Sequence, residues 1–188
     1  MVPKVQEMKG IIASDSSNWT LLVESKSDGV KIETKKSIRQ LTLMRASGTI
    51  DWPAKDIYRC LSYQPMRKEW DINNDVFEHK KKIGVNAFVS YVKTVKKFVI
   101  SSRDFVINYL LNEESDGTVI FCTSSDNCVS DIGPVQGIVR AHNVMTGFVL
   151  TPVAGDKSKT TMSMVAEVDL KGAIPEFAMR QVMKDQGY

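Results

Sequence analysis

Apolar positions recur at helical spacing near the two ends of the chain and once around residue 57, and alternate elsewhere. Val5, Met8, Ile11 and Ile12 mark a short opening helix over residues 3–12, ended by the polar run SDSSN. Two β-rich runs follow in WTLLVESKSDGVKIETK. Asp28 and Gly29 between them signal a hairpin. LTLMRASGTID is a third strand. Trp52 and Pro53 then open a helix over AKDIYRCLS, with Ile57, Cys60 and Leu61 on one face and Asp51 placed as its N-cap. A second short helical piece lies around PMRKEWD.

From residue 75 the chain reads as strands: DVFEHKKKI, AFVSYVKTV, RDFVINYLLN, TVIFCTSS, GIVRAHNV, GFVLTPV and TTMSMVAEVDL. The polar stretches GVN, ESDG, SDNCVSDIG, MTG and AGDKSK are expected turns, and the whole is expected to be an antiparallel meander. After Pro175 comes a closing helix, EFAMRQVMKDQ, with Phe177, Ala178, Val182 and Met183 on its buried side. A sheet this long must twist and curl, and its concave face needs a cover. The last helix is the expected cover, and one helix under so large a curl leaves a cavity. The fold class is therefore α+β, in one domain over residues 1–188.

Composition narrows the function classes. The chain has 188 residues, 43% of them hydrophobic, and 25 basic against 22 acidic residues spread along its length, which disfavours a nucleic-acid binder. Cys60, Cys122 and Cys128 fit a reducing, cytoplasmic setting, either as idle thiols or with a Cys122–Cys128 bridge across a turn. Neither a signal peptide nor a spanning segment is visible. His79 and His142 accompany no nucleophile elbow, phosphate loop or metal-ligand pair, so no cofactor, metal or enzyme activity is expected.

Five short motifs in order, NWTLL, EWD, VISSRDFV, GIVRA and DLKGAIP, resemble the START domains, the lipid-transfer modules related to the steroidogenic acute regulatory protein. The resemblance covers most of the chain. It implies a helix-grip fold: a curved antiparallel sheet of about nine strands around a C-terminal helix, enclosing one lipid in an internal tunnel. The 13 residues after Pro175 make a shorter closing helix than the family usually has.

The resemblance further implies a lipid-lining face. Phe105, Ile107 and Tyr109 of the RDFV strand should point inward, with Phe88, Ser90 and Val92 on its neighbour, Phe121 and Arg140 from later strands, and Phe177 and Val182 from the last helix. Sterol-carrying members have an acidic residue and an arginine at positions matching Ser90 and Tyr109; both are uncharged here. MRKEWD resembles the matching segment of the phosphatidylcholine transfer protein, which gives Arg67 a phosphate-binding role and Asp71 an orienting one. The same two residues also read as an exposed i, i+4 helical pair. In that relative's choline cage Phe105 is matched, while Val92 stands in place of a tryptophan.

Several residues read more simply as framework. Arg103 and Asp104 set the turn into their strand, and Asp169 and Gly172 supply turn chemistry. Arg140 reaches either the cavity or a rim carboxylate. In TVKKFVISS, the apolar tip Phe98, Val99 and Ile100 behind Lys93, Lys96 and Lys97 suits a membrane-contacting gate, or a loop packed on the last helix. Together these features predict a monomeric, non-enzymatic carrier of one lipid, glycerophospholipid ahead of sterol, that touches membranes transiently. A lipid-sensing module and a helix-grip enzyme are the alternatives.

Overall fold

The computed structural model describes residues 1–27, 29–97, 99–175 and 177–181. In chain order the elements are α1 (Val2–Ala13), β1 (Thr20–Ser25), β2 (Val30–Lys36), β3 (Thr42–Ile50), α2 (Ala54–Ser62), α3 (Gln64–Trp70), β4 (Asn74–Gly84), β5 (Ala87–Thr94), β6 (Arg103–Glu113), β7 (Val119–Ser124), β8 (Val139–Arg140), β9 (His142–Val153) and β10 (Asp156–Asp169). Residues 177–181 are helical. The strands form one sheet in the order β1-β2-β3-β10-β9-β7-β6-β5-β4, with β8 paired in parallel to β6. The sheet is open, with β1 and β4 as its edges. Among the described residues, no helix is long and apolar enough to cross a membrane.

The expected simple meander holds from β4 to β10. β3 then pairs with β10, so the first three strands extend the far side of the sheet. Alternation along each strand divides the side chains between two faces. On one face Ile120, Cys122, Met145 and Val165 pack under Val5 and Met8 of α1. On the other, Phe121, Phe148 and Leu150 meet α2 through Ile57, Tyr58 and Leu61. The concave face is thus covered partly by α2, where the sequence suggested the last helix alone.

Residues 145–147, read as a turn, lie inside the twelve-residue strand β9. Gly147 is required by close packing: a Cβ there would stand 2.5 Å from Met8 Sδ and 2.6 Å from the Phe121 carbonyl oxygen. GIVRAHNV, read as one strand, is divided at Ala141 between β8 and β9. Asp51 does not cap α2, whose N-cap is Pro53 with no side-chain bond. Its carboxylate pairs instead with Lys159 at 3.0 Å. All three cysteines are free thiols, Cys122 buried under α1, where burial raises its pKa to about 11.

A denser polar knot fixes the chain after α1. Arg45 on β3 donates from Nε to Glu33 Oε2 at 2.8 Å, from Nη1 to the Ser14 carbonyl at 2.6 Å and from Nη2 to Ser16 Oγ at 2.7 Å. Its guanidinium lies 4.3 Å from the centre of the Trp19 ring. The loop that delivers α1 to the sheet is thereby held by a nearly buried cation with every direction of its fork engaged.

Candidate functional site

Between the concave face, α2, α3 and the helical turn at 177–181 lies a cavity of about 280 Å³, mostly apolar. Strand register builds its wall. Phe77 on β4 stands opposite Val92 on β5, which stands opposite Phe105 on β6. Ile107 and Tyr109 continue the same face along β6, and Phe121 and Phe148 extend it onto β7 and β9. Met44, Met164 and Met179 complete the lining from β3, β10 and the last helical turn.

Of the residues singled out from sequence, Arg67, Asp71, Val92, Phe105, Ile107, Tyr109, Phe121, Lys97 and Ile100 line this cavity. Phe88 and Ser90 lie on the expected face but beyond its end. His79, from edge strand β4, covers them: its Nδ1 is 2.7 Å from Ser90 Oγ and its ring stacks on Phe88 at 4.5 Å. Burial, with the Arg67 cation adding to it, pushes the His79 pKa down. Sequence reading missed this closure because nothing in EHKKK distinguishes a ring that folds over its neighbours from one in solvent. It also missed Phe77 and Phe148, whose signal was available in the period-two alternation of their strands.

Two other expectations change. Phe177 is 59% exposed and does not line the cavity; Ala178, 1% exposed, and Met179 are the inward residues of that turn. Arg140 points away from the cavity and pairs with Asp104, the rim-carboxylate alternative. Val182 and Phe98 lie outside the described residues. In the loop between β5 and β6, Lys97 and Ile100 exchange backbone hydrogen bonds at 3.0 and 2.9 Å. Ile100 turns inward, while Val99 is 58% exposed beside the exposed Lys96.

Among the polar residues that line the cavity, three groups bear on ligand binding. Arg67, at the C-terminal end of α3, donates from Nε to Asp71 Oδ2 at 2.7 Å and from Nη1 to the Leu61 carbonyl at 2.9 Å, and its guanidinium sits 4.3 Å from the Phe77 ring centre. Asp71 also accepts from Asn73 N, Asn74 N and Asn74 Nδ2 at 3.1, 3.2 and 2.7 Å. With side chains 19% and 5% exposed, these two are a half-buried device at the cavity wall, unlike a solvated helical pair. Thr123, Asn143 and Thr146 form a second group that satisfies itself: Asn143 Nδ2 donates to Thr123 Oγ1 at 2.8 Å, and Thr146 Oγ1 to Asn143 Oδ1 at 3.0 Å.

Tyr109 is different. It is 2% exposed, and its hydroxyl, with the Tyr58 phenol beside it, makes no hydrogen bond of ordinary geometry to the described residues. Burial, and then the neighbouring Tyr58 phenol, drive its ionisation far above the usual tyrosine range. A neutral hydroxyl left unpaired in an apolar wall costs free energy that a ligand's polar atom would recover.

The pattern that defines the START domain matches residues 5–186. This chain belongs to the START family. Human steroidogenic acute regulatory protein is 26% identical over 183 residues, covering 95% of this chain. Human StAR-related lipid transfer protein 5 is 27% identical over 169 residues, covering 86% of this START domain and 77% of that protein. The chain spans 62% of the length of the human steroidogenic acute regulatory protein and 60% of its Xenopus laevis counterpart. Among solved structures, human StAR-related lipid transfer protein 5 superposes with a TM-score of 0.82 at 24% identity, covering 98% of this chain and 91% of that one. Human STARD10 gives 0.80 at 21% identity, covering 97% and 72%. The START domain described here has the helix-grip fold of these neighbours, with an open sheet.

Proposed function

We propose that this START domain is a non-enzymatic carrier that encloses one lipid and exchanges it at membranes. The apolar cavity under the curled sheet supports this reading, since each methylene buried there is stabilised by about 0.8 kcal/mol relative to water. The relatives named as lipid transfer proteins support the same class of activity.

For the lipid class, this reading gives most weight to Tyr109, whose buried hydroxyl has only the Tyr58 phenol as a polar neighbour on the apolar wall. A neutral lipid bearing one hydroxyl, its rings or chain along Phe105, Ile107 and Phe121, would supply the missing hydrogen bond. A cavity of about 280 Å³ lies just below the range for ligand sites, roughly 300–1,000 Å³, which favours a compact sterol-like molecule over a two-chain phospholipid. This reading therefore puts a sterol-like lipid ahead of a phospholipid. The phospholipid reading keeps one supporting observation: Arg67 faces the cavity, with Nε and Nη1 engaged by protein acceptors and Nη2 without an acceptor among the described residues, where it could meet a phosphate.

The test is transfer between donor and acceptor vesicles of a fluorescent sterol and, in parallel, a fluorescent phosphatidylcholine. Sterol transfer weakened by Tyr109→Phe and spared by Arg67→Gln is the expected result. Phosphatidylcholine transfer abolished by Arg67→Gln would replace it with the phospholipid reading, and transfer of neither lipid would remove the carrier function.

A further inference from the structure

We infer that the β4–β5 hairpin is a second contact for an anionic bilayer, on the opposite end of the sheet from the part of the cavity lined by Val95 and Lys97, so that one molecule can touch two membranes at once. The proposal rests on the carrier reading, because a bridging contact has a use only if lipid moves between the two surfaces.

The hairpin tip carries apolar residues that folding does not explain. β4 and β5 remain paired up to Gly84 opposite Ala87, so Val85 and Asn86 make a two-residue loop. Asn, Asp or Gly is the usual choice there. Val85 is nonetheless 85% exposed and Ile83, just before the loop, 50% exposed. Asn86 accepts a backbone hydrogen bond from Leu111 N at 2.9 Å, which holds the tip against β6. The exposed pair is thus presented on a fixed scaffold.

Charge identifies the partner. Behind the tip stand Lys80, Lys81 and Lys82, all exposed. Lys80 pairs with Glu78, whereas Lys81 and Lys82 have no carboxylate partner among the described residues. The acidic β6–β7 turn at the same end of the sheet does not cancel them: Glu113 is held by Lys55 at 2.7 Å, Glu114 by Lys9 at 2.6 Å, and Asp116 accepts from Thr118 N at 2.8 Å. Unpaired lysines behind exposed aliphatic side chains match an anionic headgroup layer over an acyl boundary. Lysines on an edge strand also discourage strand pairing between molecules. That accounts for the charges and leaves Ile83 and Val85 unexplained. The eight residues of β5 separate this tip from the end of the cavity lined by Val95 and Lys97 by roughly 25 Å.

The experiment measures clustering of vesicles containing phosphatidylserine by light scattering, with pure phosphatidylcholine vesicles as the neutral comparison. The same protein samples are assayed for removal of a fluorescent sterol from a single vesicle population. Wild type should cluster only the anionic vesicles. Lys81→Glu/Lys82→Glu should need at least roughly thirtyfold more protein for the same clustering, and Ile83→Asp/Val85→Asp should abolish it, while sterol removal stays at the wild-type rate. Clustering that is absent in wild type, or equal in the variants, overturns the inference. So does dimerisation of the charge variants in gel filtration with clustering unchanged, which would make the lysines edge protection alone. Loss of sterol removal by wild type with clustering retained would sink the carrier reading and leave the hairpin contact standing.

Discussion

Arg140 grips Asp104 at two points, Nε to Oδ1 at 2.8 Å and Nη2 to Oδ2 at 2.9 Å, with the carboxylate wholly buried and the arginine about a third exposed. The pair fastens β8 to β6 and so closes the long loop that precedes β9. Removing the cation strands a buried charge. Arg140→Met should cost about 2–3 kcal/mol in urea unfolding, toward the low end for a broken buried pair because part of the arginine is solvated.

Tyr109→Phe keeps the ring that stacks on Phe121 and deletes only the buried hydroxyl. Calorimetry should find the free protein as stable as wild type or slightly more so. Titration with a hydroxylated sterol should show affinity lowered roughly 3- to 10-fold, the worth of one hydrogen bond. Lower stability with unchanged affinity would contradict the role given to this hydroxyl.

Gly147→Ala should be costly despite the conservative change, because the added methyl meets the Phe121 carbonyl at 2.6 Å, and backbone cannot swing aside as Met8 can. A loss of about 2–3 kcal/mol is expected. Gly147→Ala/Met8→Ala should recover little of it, since the carbonyl contact remains.

The Glu33–Arg45 pair predicts an acid limb. Burial opposes ionisation of Glu33, but hydrogen bonds from Lys31, Arg45 and Ser16 outweigh it and hold its pKa below the ordinary glutamate range. Its contribution is therefore complete above that range and disappears as the pH falls through the depressed folded value. Thermal midpoints measured from neutral into acid should fall more steeply for wild type than for Glu33→Gln.

Much of the architecture was legible because successive side chains of a strand point to opposite faces, so runs of period two mark strands wherever the two faces differ in environment. Parity put Phe105, Ile107 and Tyr109 on one face, the START resemblance named that face as the inward one, and the three line the cavity; Asp169, read as a turn residue, accepts from Lys171 N at 2.9 Å. What sequence could not show was contact across distant segments. Met145, Thr146 and Gly147 looked like a turn because the reason for the glycine, Met8 of α1, lies far away in the chain. Arg140 had two equally good partners until the fold brought Asp104 beside it. Phe177 was assigned inward from helical spacing, yet the turn is rotated so that Ala178 and Met179 face the sheet.

The most direct test of the central claim is native mass spectrometry of the protein after incubation with sterol-containing vesicles and separation from them. The account predicts a single adduct of one sterol per chain, lost when Ile107→Trp fills the cavity of a variant that still unfolds cooperatively. An adduct that persists in the filled variant, or no adduct in wild type, would contradict a lipid held between the sheet and its helices.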